Sequence, residues 1–130
     1  MGYGLFRCSD DDVPDEVWGK IFKKADELLL KYLKQGKNVV NEYAWITKEW
    51  RDKARNVARK EGFQTIIIYL KLSEAEIIKR WKENDKSRKR FHWPLEEFRR
   101  IFSEFEEPNS DENVIIYDGI MSVESLLKKM

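Results

Sequence analysis

The sequence predicts an α/β fold: three layers, with a mainly parallel sheet carrying helices on both faces. Three observations point to it. Stretches whose apolar residues recur every three or four positions alternate along the chain with short β-branched runs, the pattern of βαβ units. The most apolar run, Gln64 to Leu70, is hydrophobic on consecutive rather than alternate positions, which suits a strand covered on both sides. The helical stretches are also bracketed by capping residues in front and by Gly or Pro behind.

Each element has its own signals. Tyr3 to Cys8 reads as a short first strand before the acidic turn Ser9 to Asp12. Pro14 suits a first helical position, and Asp15 and Glu16 then fall in the first turn, where they complement the helix dipole. Val17, Ile21, Ala25, Leu28 and Tyr32 mark the apolar stripe, and Gly36 stops the helix after Lys31 and Lys34. Asn38 to Asn41 reads as a second strand, and Thr47 caps a helix striped by Trp50, Ala54, Val57 and Ala58 and ended by Gly62. After the Gln64 to Leu70 strand, Ser73 and Glu76 form a capping box for a helix through Ile77, Ile78 and Trp81. Leu95, Phe98, Ile101, Phe102 and Phe105 share one face of the next helix, with Pro108 as its terminator. Asn113 to Tyr117 is the closing strand, and Ser122 caps the last helix. No repeat or linker interrupts the series, so residues 1–130 read as one domain.

Composition narrows the function. The 25 Lys and Arg nearly cancel the 24 Asp and Glu, which argues against a general nucleic-acid or membrane-surface role. One cysteine, Cys8, excludes an internal disulfide and any cysteine-cluster metal site. The absence of a long apolar run and of a signal-peptide pattern predicts a cytoplasmic protein with no membrane partner.

Parallel sheets bind ligands beyond the carboxyl ends of their strands, and those positions hold Asp10 to Asp12, Asn41 and Glu42, Ser73 and Glu74, and Asp118. Such residues can take a hydroxyl proton or hold Mg²⁺, although capping turns and helices is their ordinary work. A second signal is the block from Lys79 to Arg90, seven cations against two anions. Arg80, Arg88 and Arg90 are candidates for stabilising phosphate charge from a lid spanning about 79–93; the alternative is a solvated helix end paired with nearby acids. Trp81, Phe91 and Trp93 could stack single-stranded bases, but the flanking acidic blocks speak against a nucleic-acid partner.

Asp10-Asp11 after a strand, the helix ending at Gly36, the stretch Val39 to Gly62, the stretch Lys71 to Asp85, and Phe102 to Glu112 before a closing strand together resemble small P-loop kinases of the polynucleotide-kinase and zeta-toxin type. The resemblance implies that Asp10 or Asp11 orients or deprotonates an acceptor hydroxyl. It also implies that Arg51 contacts the acceptor side, and that Arg80 with Arg88 or Arg90 serves as the lid. The family's Asp after the second strand is here Asn41 followed by Glu42, and Mg-ATP is the implied cofactor.

The family's phosphate loop, G-x-x-x-x-G-K-[ST], does not occur in these 130 residues: Gly36-Lys37 is followed by Asn38, and position 31 is Lys. By this resemblance the first strand and its loop are expected to be missing. The chain then reads as a truncated or degenerate kinase that keeps affinity for a nucleotide or phosphorylated small molecule but is not competent alone. The alternatives are a non-catalytic protein-interaction module and a phosphotransferase completed by a partner chain. A central strand missing from a sheet leaves backbone groups unpaired, at about 1–3 kcal/mol for each buried group, which favours association. A homodimer is therefore expected, with light scattering across a dilution series showing twice the chain mass; a strictly monomeric, cooperatively unfolding chain would overturn it.

Overall fold

The computed structural model describes residues 13–42 and 45–130. The expected first strand, Tyr3 to Cys8, and the acidic pair Asp10 and Asp11 lie outside the described residues. The chain falls into two compact units, Met1–Glu42 and Tyr43–Met130.

In the first unit, α1 spans Asp15–Lys34. Pro14 sits one position before the first helical residue, as the N-cap, and its carbonyl accepts the amides of Val17 and Trp18. The stop is a Schellman turn. Gly36 adopts φ +72°, its amide donates to the Leu33 carbonyl, and the Lys37 amide donates to the Tyr32 carbonyl. Gly36-Lys37 thus ends a helix, as its position after two lysines predicts. Residues 37–42 then continue without regular structure, so the expected strand from Asn38 to Asn41 is not formed. The segment offers only Val39 and Val40 as apolar anchors, and Val40 is 97% exposed, too little burial to hold a strand.

The second unit is helix-rich α/β. In order it contains α2 (Lys48–Lys60), β1 (Ile67–Leu70), α3 (Glu74–Ser87), α4 (Leu95–Glu104), a 3-10 turn (Ser110–Glu112), β2 (Val114–Tyr117) and α5 (Val123–Leu127). Among the described residues the sheet has two strands, β1 and β2, parallel with Ile67 opposite Val114 and Leu70 opposite Tyr117. Both strands are shorter than expected, and β1 begins three residues later than Gln64. Sequence-read caps form at three helices: Thr47, Ser73 and Ser122 accept the amides of Trp50, Glu76 and Ser125. Helix α4 stops before Phe105, which leaves the expected helical face and packs on Tyr69 at 5.6 Å between ring centroids.

The buried face of α2 differs from the apolar stripe read from the sequence. Trp50 is half-exposed, and the inward positions are Arg51, Arg55 and Ala58, spaced i, i+4 and i+7. Two arginines are stable there because Glu112, fully buried, meets them. Arg51 Nε donates to Glu112 Oε1 at 2.7 Å and Arg51 Nη2 to Oε2 at 3.2 Å, a bidentate pair. Arg51 Nη1 donates to the carbonyls of Trp45 and Glu106. Arg55 reaches the Asp52 carboxylate and the Asp111 carbonyl. The Asn109 amide donates to Glu112 Oε2 at 2.9 Å and closes a capping box around the 3-10 turn.

Arg51 and the Asn109 amide hold the Glu112 carboxyl below its ordinary range against the opposing effect of burial. A depressed carboxyl stabilises the fold fully above its unfolded value, about 4.3, and that stabilisation is lost as pH falls through the lower folded value. Urea titrations from pH 7 downward should therefore show stability falling below about pH 4.3. The Glu112→Gln substitution leaves Arg51 buried without a counter-ion, so at pH 7 it should cost about 3–5 kcal/mol and flatten the acid dependence. A variant with the parent's midpoint and acid limb would show that the pair is dispensable.

Candidate functional site

Helix α3 carries the basic block as far as Lys86, and its C-terminal end determines which cations can act together. Arg88 closes the helix in the left-handed region, φ +48°, with its amide on the Asn84 carbonyl at 2.7 Å. Its guanidinium folds back onto Asp85, with Nε to the carbonyl at 2.8 Å and Nη2 to the carboxylate at 2.5 Å. Arg88 is thus occupied in finishing the helix.

The chain then returns alongside α3, fastened by a small set of contacts. Asn84 Nδ2 donates to the carbonyls of Arg90 at 3.3 Å and Phe91 at 3.1 Å, and Asn84 Oδ1 accepts the Arg90 amide at 3.1 Å. Trp81 Nε1 donates to the Trp93 carbonyl, and the Trp81 ring packs on His92 at 4.7 Å and on Phe98 of α4 at 5.4 Å. His92, nearly buried, points Nε2 at Asp85 from 3.3 Å. His92 and Trp93 therefore pack the loop, the ordinary role for such residues beside a proline.

The returning loop and α3 border an open groove of about 330 Å³ lined by Arg80, Glu83, Asn84, Ser87, Lys89 and Arg90. Three cations face one carboxylate, so the cleft suits an anion. Arg80 Nε is held by Glu76 at 2.8 Å one turn earlier, and this pair, with the Arg80 side chain 61% exposed, is the kind that a bound anion can displace. The Glu76 carboxyl lies below its ordinary range because of the Arg80 hydrogen bond first and Lys79 second. Guanidinium and ammonium donors beside a serine hydroxyl match phosphoryl oxygens, the part of Mg-ATP that these residues fit.

The other positions singled out in the sequence are placed as follows. Asp10 and Asp11 lie outside the described residues. Asn41 and Glu42 are exposed on the irregular segment after α1, not at the end of a strand. Arg51, expected on the acceptor side, is 3% exposed and engaged by Glu112 and two carbonyls. The Ser73 hydroxyl caps α3, and the Asp118 carboxylate accepts the amides of Ile120 and Met121, which lower its pKa. Lys89 and Asn84 were not singled out in the sequence. Lys89 was one cation among seven, and an asparagine inside a helical stretch gives no signal of the loop it will fasten.

A family described as AAA domain matches residues 7–108, well over half of the chain. No match is found among curated proteins, nor among solved structures.

The geometry separates Arg88 from Arg90, which the sequence left as alternatives. Inorganic phosphate should raise the melting temperature by mass action. Arg90→Ala should weaken phosphate about tenfold, the scale of one charge-assisted hydrogen bond of about 1.5 kcal/mol, while Arg88→Ala should leave the phosphate-induced shift unchanged. Equal loss in the two variants would mean that the cleft does not select its cations as described.

Proposed function

Because the chain belongs to the AAA domain family, a P-loop NTPase-like kinase family, we propose that it contributes the lid side of a phosphotransferase site. Arg80, Lys89 and Arg90 bind the phosphate part of a nucleotide or phosphorylated small molecule. The observation that carries this reading is the convergence of those three cations on one small cleft at the end of α3. Cations so placed stabilise the charge of a transferring phosphoryl group, and a short loop on a helix end is the kind of element that closes over one.

Within this reading Asp10 or Asp11 orients or deprotonates the acceptor hydroxyl, with Asn41 and Glu42 on the acceptor side. Mg-ATP, when bound, supplies the phosphoryl group. The 130 residues contain no phosphate-loop motif, so affinity for Mg-ATP rests on the lid cations, and full activity needs a phosphate loop from another polypeptide or another stretch of the same protein. A homodimer or a completing partner chain fits the same requirement.

Titration calorimetry with Mg-ATP at low salt tests the reading. A dissociation constant at or above roughly a millimolar is expected, corresponding to about 4 kcal/mol of binding free energy, with Arg80→Ala abolishing the heat. A micromolar, Mg²⁺-dependent constant unaffected by Arg80→Ala would place the nucleotide elsewhere and overturn it.

A further inference from the structure

Arg80 is held on a regular helix, whereas Lys89 and Arg90 stand on the irregular loop that follows it. Two cations on an unsupported loop would spend most of their time in solvent, and fixing them costs roughly 1–2 kcal/mol for each ordered residue. Something must supply that order for the cleft to exist before a ligand arrives.

We propose that Asn84 is the positioning residue of the anion cleft: by clasping the backbone of Arg90 and Phe91 it sets the two loop cations opposite Arg80. The inference rests on the anion-binding reading above and adds to it the device that pre-forms the site. The amide side chain fits the task because one end accepts and the other donates. Asn84 Oδ1 accepts the Arg90 amide while Nδ2 donates to the carbonyls of Arg90 and Phe91, so both polar groups of the Arg90 backbone are taken by one side chain. The reverse orientation of the amide would face donor to donor and acceptor to acceptor, so the network itself defines it.

The clasp is seated on both sides. Asn84 lies on α3 one turn before the left-handed Arg88, whose amide donates to the Asn84 carbonyl, so the residue that holds the loop also receives the helix-ending bond. Asn84 Nδ2 lies 3.5 Å from His92 Nδ1, and His92 Nε2 lies 3.3 Å from Asp85 Oδ1, so Asp85, His92 and Asn84 form a chain of polar contacts along the loop. Neither aspartate nor lysine could replace the asparagine: the first has no donor for the two carbonyls and adds a negative charge to the cleft, and the second has no acceptor for the Arg90 amide.

A double-mutant cycle tests the proposal, with inorganic pyrophosphate as probe and Asn84→Ala, Arg90→Ala and the double variant compared with the parent. If Asn84 sets Arg90 and Lys89, each single substitution weakens pyrophosphate about tenfold, about 1.4 kcal/mol, and the double variant loses less than the hundredfold product of the two. A residue that touched the anion independently of the loop cations would give effects that multiply. Multiplying effects, or an Asn84→Ala variant that binds like the parent, overturn the positioning role and leave the anion site standing. A parent that does not bind pyrophosphate overturns the anion site and the positioning role with it. A second measurement needs no variant: the Arg90 amide, on an exposed loop, should exchange with solvent at least tenfold more slowly than an open chain. Exchange at the open-chain rate would show that the clasp does not hold, and would overturn the proposal by itself.

Discussion

The fold of the second unit turns on one carboxylate. Glu112 is the only described residue with a fully buried side chain, and its oxygens accept from Arg51 and from the Asn109 amide. Arg51 belongs to α2, Asn109 to the segment after α4, and Glu112 itself to the turn that launches β2. A single buried charge therefore ties a helix, a connecting segment and a strand together. Desolvating a carboxylate and a guanidinium is costly, and the cost is recovered only where the remaining hydrogen-bonding groups are satisfied. The structure meets that condition for Arg51: its third nitrogen donates to the Trp45 and Glu106 carbonyls, which draws the entrance of α2 and the exit of α4 to the same point.

Around that point the pairing spreads outward. The Glu106 amide donates to the Ile46 carbonyl and its side chain accepts the Lys48 amide, so the same residue both bridges to the chain before α2 and satisfies one of the open amides of its first turn. Lys48 Nζ meets Asp111 at 2.8 Å, and Asn113, in the left-handed region, donates from its side chain to the Thr65 carbonyl just before β1. The acidic segment after α4 thus meets the cations of α2, and with Lys71 on Glu107 it meets the end of β1 as well.

That pairing pattern bears on the charge of the cleft at the end of α3. A basic block and an acidic helix in one small unit could have neutralised each other, which would have left no positive cleft. Instead α4 pairs internally: Arg100 is bound by Glu97 and Glu104, and Arg99 by Glu96. On α3 the pairs are equally local, Arg80 with Glu76 and Arg88 with Asp85. Lys89 and Arg90 make no ion pair with a described carboxylate, and the aromatic packing of Trp81 on Phe98 and His92 keeps their loop beside the helix. Local charge pairing leaves the field of the cleft positive although the chain as a whole is nearly neutral.

The parts determined by sequence alone are those that depend on neighbours a few residues apart. Thr47, Ser73 and Ser122 as caps, Gly36 and Gly62 as helix stops, the apolar run of β1 and the basic block of α3 all follow from local geometry, because a cap or a left-handed turn is satisfied within one helical turn. The kinase-like family was legible for a related reason, since its segments follow each other in a fixed order along the chain. Three outcomes were decided only by tertiary structure. Arg51 and Arg55 point inward because Glu112, about 60 residues away in sequence, neutralises them, and no periodicity of polar residues reports a partner so distant. Val39 and Val40 form no strand because both stay exposed in the folded unit, and two unburied apolar residues do not hold one. Among seven clustered cations, Arg80, Lys89 and Arg90 share a cleft and Arg88 does not, because the left-handed turn at Arg88 redirects the chain and sends neighbouring side chains to opposite tasks.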